Sequence, residues 1–224
     1  MGEYYNWVNV DRKEYICPCD FDFGNKLMES SGFHNPFLCA LRELLDNEWK
    51  GNRILFLGDE KELPKDTNND VLRTLFQHSL DCGHEGSSES VIFESYKNIS
   101  GWFVAAEKDV RNVISTYIKD FNSGKDVINE YRINIENPYE GMFTRSGKDF
   151  LYTINITKQE YYSSSKTRVI IPSFSKYKKA NCDPLPYLMR HGYRGIGAWV
   201  GDVISVSDSR PKNYKFMKKI VIDY

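Results

Sequence analysis

Tyr4-Tyr5-Asn6-Trp7-Val8-Asn9-Val10-Asp11-Arg12-Lys13-Glu14-Tyr15-Ile16 is the stretch on which the reading of the fold turns. Two aromatic or β-branched runs flank the polar Asp11-Arg12-Lys13, which is the pattern of a β-hairpin. The stretch recurs at the other end of the chain. Placed over Phe150–Tyr162, an offset of 146, Asn9, Glu14 and Tyr15 fall on Asn155, Glu160 and Tyr161. Val8 and Val10 fall on Ile154 and Ile156, and Arg12 falls on Lys158. The shared pattern is Asn-[Val/Ile]-x-[Arg/Lys]-x-Glu-Tyr.

Two further matches follow in the same order. Asn35-Pro36-Phe37 lies over Asp183-Pro184-Leu185 at an offset of 148, and Trp49-Lys50-Gly51-Asn52 over Trp199-Val200-Gly201-Asp202 at an offset of 150. Asn or Asp before Pro is a helix start, because the side chain caps the first free amides and Pro suits the first helical position. The expected unit is a hairpin, a capped helix and a Gly-bounded strand, present twice. One such unit cannot cover its own apolar face, whereas two packed together can. The expectation is an α+β fold with an antiparallel or mixed sheet, one globular domain made of a first unit (1–64), a mainly helical insert (65–148) and a second unit (149–224).

The remaining elements read as follows. Phe37, Leu38, Leu41, Leu44, Leu45 and Trp49 recur at helical spacing, and Ile54–Leu57 is a buried strand. Asp70 is the expected cap of a helix carrying Val71, Leu72, Leu75 and Phe76. Val110 to Phe121 forms a second helical stripe, and a short helix is expected over 126–131. Strands are expected at 150–162, 167–171, 203–206 and 219–222. Gly192 to Gly197 reads as a mobile loop.

Composition narrows the function classes. The chain has 224 residues, 41% hydrophobic and 27% charged, with a net charge of −1. That is a globular balance with no global field to attract nucleic acid or an anionic membrane. A local lysine cluster (Lys166, Arg168, Lys176, Lys178, Lys179) reads as a solvated loop. Aromatics reach 14%, a sheet-favouring content that also suits partner surfaces. The start of the chain lacks a signal-peptide pattern, and no run approaches a membrane span. Five scattered cysteines do not suggest a disulfide framework. The expected location is the cytoplasm.

The stretch Tyr5–Ile16, with Trp49-Lys50-Gly51-Asn52 and Leu57-Gly58-Asp59-Glu60, resembles a family of uncharacterised bacterial proteins. The C-terminal Asp183-Pro184-Leu185-Pro186, Trp199-Val200-Gly201-Asp202 and Val206–Pro211 are similar to that family's C-terminal pattern. Shorter proteins with an Asn-x-x-Lys-x-Glu-Tyr hairpin and a Trp-x-Gly-Asp segment look related. The resemblance supports the domain reading and implies no activity or cofactor.

Several constellations could carry chemistry. Cys17, Cys19, Cys82 and His84 could supply a Cys₃His zinc site, although one residue between Cys17 and Cys19 is tighter than zinc pairs favour. No metal and no cofactor is expected. Asp59 and Glu60 follow the strand of the first unit; Asp202 and Asp208 bracket that of the second. Such carboxylates could act as acid and base, but Asp beside Gly is also turn chemistry. Glu14 and Glu160 could form an acid pair, against the plainer reading of solvent-face partners for Arg or Lys. The histidines sit in no recognised signature, and Gly192–Gly197 lacks the phosphate-loop and dinucleotide patterns. The leading expectation is a non-enzymatic protein–protein interaction module, for instance a toxin-neutralising immunity-type protein, with a protein partner and without membrane or nucleic acid. The alternative is a small hydrolase or nucleotide-acting enzyme using Asp59, Glu60, Asp202 and Asp208.

Overall fold

The computed structural model describes residues 3–21, 24, 26–32, 35–103, 150–172, 180 and 182–222. The expected helices at 110–121 and 126–131, His34, and Lys176, Lys178 and Lys179 lie outside these residues. The fold is α+β. Strands β1 (Tyr5–Asn9) and β2 (Glu14–Ile16) form the first hairpin, and β3 (Ile54–Gly58) pairs antiparallel with β1. Strands β5 (Tyr152–Asn155) and β6 (Glu160–Ser163) form the second hairpin, and β10 (Ile204–Ser207) pairs antiparallel with β5.

The two hairpins share their turn bonds, while the aligned basic residues differ in partner: Arg12 pairs with Glu14 and Lys158 with Asp202. In the first, Asn9 Oδ1 accepts the Arg12 amide at 3.0 Å and Asn9 Nδ2 donates to Asn52 Oδ1 at 3.1 Å. In the second, Asn155 Oδ1 accepts the Lys158 amide at 2.8 Å and Asn155 Nδ2 donates to Asp202 Oδ2 at 2.7 Å. Lys13 and Gln159 close the two turns with the same left-handed φ of 52°. Trp49 and Trp199 are both fully buried, and each is followed by a glycine at φ near +80°, Gly51 and Gly201. The units meet where Arg53 and Val203, equivalent positions, bridge antiparallel.

The helix starts match as well. Asn35 Oδ1 accepts the Phe37 amide at 2.8 Å and Asp183 Oδ1 accepts that of Leu185 at 2.9 Å. Helix α1 (Pro36–Asp46) then runs for 11 residues. Its counterpart α4 (Leu185–Met189) stops after 5, and the chain turns into β8 (Arg190–Gly192) and β9 (Gly195–Ile196) before reaching Trp199. The glycine-rich segment expected as a mobile loop is therefore a hairpin. Glycine serves it structurally: Gly195 has φ +105°, a left-handed conformation that a side chain would strain.

That hairpin joins the first unit. Strand β8 pairs parallel with β3, and β4 (Lys97–Asn98) pairs parallel with β2, giving a six-stranded sheet in the order β4-β2-β1-β3-β8-β9. This sheet draws strands from all three expected segments. The second unit's sheet has the order β10-β5-β6-β11, with β11 at Lys215–Phe216, and β7 (Arg168–Ile170) pairs with β12 (Lys219–Val221).

Both faces of the six-stranded sheet are covered. Alternate residues along a strand point to opposite sides. Tyr5, Trp7, Ile54 and Phe56 therefore join one core with α1 and the second unit, while Val8, Val10, Leu55 and Leu57 join another. The second core is roofed by α2 (Asp70–Asp81), and α3 (Ser88–Ser90) runs into a π turn at Val91–Ser95. The cap of α2 is Asn69 rather than Asp70: Asn69 Oδ1 accepts the amides of Val71 and Leu72. Much of the aromatic content serves these cores, since Tyr5, Tyr15, Tyr96, Tyr161, Tyr162 and Tyr187 are all buried.

Candidate functional site

The place where the second unit departs from the first borders an open pocket. Loop 59–65, the segment 84–88 and β8–β9 enclose an open pocket of about 530 Å³. Leu63, Pro64, Phe76 and Ile196 form its apolar walls, with charged Lys61 and Glu85 at the rim. A recess of about 200 Å³, lined by Asp59, Glu60, Ser87 and Ser88, continues from it and shares Lys61 and Glu85.

His191 lines the larger pocket and is only 1% exposed. Its position follows from register: Leu57 and His191 are paired across β3 and β8, so both face the α2 side. Among the described residues neither ring nitrogen makes a full hydrogen bond, although the Glu62 backbone lies close enough to favour the protonated ring. Burial holds its pKa below the ordinary 6.5; the Glu62 backbone opposes that shift and the Lys61 charge adds to it. At neutral pH the ring is an uncharged imidazole with one donor and one acceptor.

The strand-end acids do not converge. Asp59 and Glu60 line the recess, with Asp59 tied to Tyr4 by two bonds: its amide to the Tyr4 carbonyl at 3.0 Å, and its carboxylate from the Tyr4 amide at 2.9 Å. Asp202 is the counterpart of Asn52 and is taken up by structure. It accepts from Asn155 and from Lys158 Nζ, the latter at 2.6 Å, and is largely buried. Asp208 accepts from the Ser209 hydroxyl at 3.2 Å on the surface. Because β3 and β10 leave the Arg53–Val203 bridge in opposite directions, Asp59 and Asp208 lie on opposite sides of it. A shared acid–base pair across the two units is not formed.

The thiols and His84 do not gather either. Among the described residues, no group of three or more His, Cys, Asp or Glu side chains is placed to hold a metal ion. Cys17 is half-buried and its pKa is pushed up to about 12, chiefly by burial, which makes it a poor thiolate ligand. His84 Nε2 lies 3.3 Å from Glu94. Glu14 and Glu160 do not meet each other. Each instead accepts the indole N–H of its unit's tryptophan, and Glu14, expected on the solvent face, is buried while also bonding Arg12 at 2.9 Å.

Exposed apolar side chains mark the same edge of the sheet. Tyr193 is 75% exposed and Ile196 55%, both on the β8–β9 hairpin, and Tyr4 is 45% exposed beside Asp59. Glu3 links them, since its carboxylate accepts the Tyr193 amide at 2.6 Å. Strand β9 is the outermost strand of the sheet. No signal in the sequence isolates His191 or Tyr193; only the two-residue surplus between Asp183 and Trp199, relative to Asn35 and Trp49, points to this segment.

No helix among the described residues is long and apolar enough to cross a membrane. No family model, curated protein or solved structure matches the chain.

Proposed function

We propose that the chain is a non-enzymatic protein-binding module and that its contact surface is the β9 edge of the six-stranded sheet. The observation that carries this reading is an edge hairpin with Tyr193 and Ile196 exposed, the exposed Tyr4 being linked to it through Glu3, beside an open pocket that Ile196 lines and that has charged residues at its rim. An apolar centre with Tyr and a polar rim is the usual anatomy of an interface. The outer edge of β9 offers backbone groups to a partner strand, and the pocket would take one of its side chains. A toxin-neutralising, immunity-type role is the form of this reading to test first.

The test is capture of a partner by the full chain, repeated with two sets of substitutions. Tyr193→Ala with Ile196→Ser removes the apolar group; Asp59→Asn with Glu60→Gln removes the recess acids. Loss of capture with the first set and retention with the second is expected, since Tyr truncation at an interface centre costs on the order of 2 kcal/mol or more. The hydrolase or nucleotide-acting reading retains Asp59 and Glu60 beside His191. It takes over if capture survives the first set and cellular activity is lost only with the second, in folded protein.

A further inference from the structure

On the sheet face opposite the pocket, Tyr5, Gly58 and Gly192 form a row. Tyr5 and Gly58 are register partners across β1 and β3, and Gly58 and Gly192 lie one step beyond the Leu57–His191 pair. Two glycines side by side on adjacent strands leave a notch where two side chains would stand. The notch is filled. A Cβ on Gly58 would collide with the Glu3 carboxylate, and a Cβ on Gly192 with both that carboxylate and the Tyr5 hydroxyl.

The carboxylate in the notch is bonded from two sides. Tyr5 donates its hydroxyl to Glu3 Oε2, and the Tyr193 amide donates to Oε1 at 2.6 Å. Tyr5 is 2% exposed, and burial followed by the Glu3 bond raises its pKa far above the ordinary value, so the phenol remains a donor at every physiological pH. Arg190 and Arg194 act on this phenol as nearby positive charges. An oriented phenol, a free-standing amide and a positive field in a space cleared by two glycines are the parts of an anion site.

We propose that the Gly58–Gly192 notch is a carboxylate-binding site, that Glu3 occupies it as a tethered ligand, and that displacement of Glu3 opens it to an external carboxylate. The notch shares Tyr193 with the proposed interaction surface, but it is built from the opposite face of the sheet and its test does not use partner capture. A segment that merely needed anchoring would not need two adjacent backbone positions emptied of side chains.

The experiment is carboxylate rescue of the full chain. Glu3→Ala empties the notch, and sodium acetate is titrated against sodium chloride of equal ionic strength while thermal unfolding is followed. A ligand that binds only the folded state raises the melting temperature with concentration. Acetate at hundreds of millimolar is expected to raise the melting temperature of Glu3→Ala by a few degrees over chloride and to leave the unsubstituted chain unmoved. A second variant, Glu3→Ala with Tyr5→Phe, keeps the ring but removes the donor, and should lose the response. If acetate does not shift Glu3→Ala, shifts the unsubstituted chain equally, or still shifts the double variant, the proposal is overturned. Because the readout is a difference between two salts, it holds even where Glu3→Ala lowers stability.

Discussion

The indole N–H of Trp49 donates to the Glu14 carboxylate at 2.9 Å across a fully buried contact. Trp199 makes the same bond to Glu160 at 2.7 Å. Each tryptophan reaches from just ahead of its unit's last strand to the start of the second hairpin strand, so each bond ties together the two ends of a unit. This pair of bonds, together with the corresponding asparagine and glycine positions, is what the two units have in common.

Removing either tryptophan should be severe. Trp49→Ala or Trp199→Ala creates a large cavity and takes an indole donor from Glu14 or from the partly buried Glu160, for a loss of about 3–5 kcal/mol. Urea unfolding followed by circular dichroism checks this. A loss below about 1 kcal/mol would mean that neither side chain is core.

The two glycines that follow the tryptophans should respond unequally to alanine. Both hold φ near +80°, which costs a side chain roughly 1–2 kcal/mol. At Gly51 a Cβ would meet nothing within 4 Å, so backbone strain is the whole effect. At Gly201 it would lie 2.8 Å from Val71 and 3.2 Å from the capping oxygen of Asn69. Gly201→Ala should therefore be the more destabilising of the two, by thermal or urea unfolding, and equal losses would contradict the placement of α2.

Asp183 is the hub of a buried network. It accepts from Arg42, from the Tyr162 hydroxyl at 2.5 Å and from the Leu185 amide at 2.9 Å, and it is fully buried. Asp183→Asn leaves the Arg42 guanidinium buried without its counter-charge, which should cost about 3–5 kcal/mol. Replacing both together, Arg42→Met with Asp183→Asn, should cost less than the sum of the two single losses. Additive losses in urea titrations would show that the ion pair is not coupled.

Stability should fall in mild acid. The folded-state pKa of His191 and of His78 lies below the ordinary 6.5, for His78 through burial and the Lys13 charge. A depressed pKa means the folded state binds the proton less well than the unfolded chain. The contribution is therefore complete above about 6.5 and lost as pH falls from there through the folded values. Unfolding at pH 7.5, 6.5 and 5.5 should show this decline, and His191→Gln should reduce it. NMR titration of the His191 ring with a midpoint above 6.5 would contradict the burial of the ring.

How much was legible beforehand divides along the range of the interactions. Asn35-Pro36, the Asp11–Lys13 turn, the apolar spacing of α1 and the Gly-bounded Ile54–Leu57 strand are set by backbone geometry and neighbours within a few residues, so sequence alone determined them. Sequence also aligned Asn52 with Asp202, which tertiary structure then showed bonding equivalent asparagines. Contacts between distant segments could not be read. Nothing local says that β8 lies beside β3, that Glu14 finds Trp49, or that Gly58 and Gly192 become neighbours. Strand pairing brings such residues together because burying both faces of one sheet outweighs the entropy of closing long loops. The recess acids, the His191 pocket and the glycine notch all depend on that closure, and only the tertiary structure decided them.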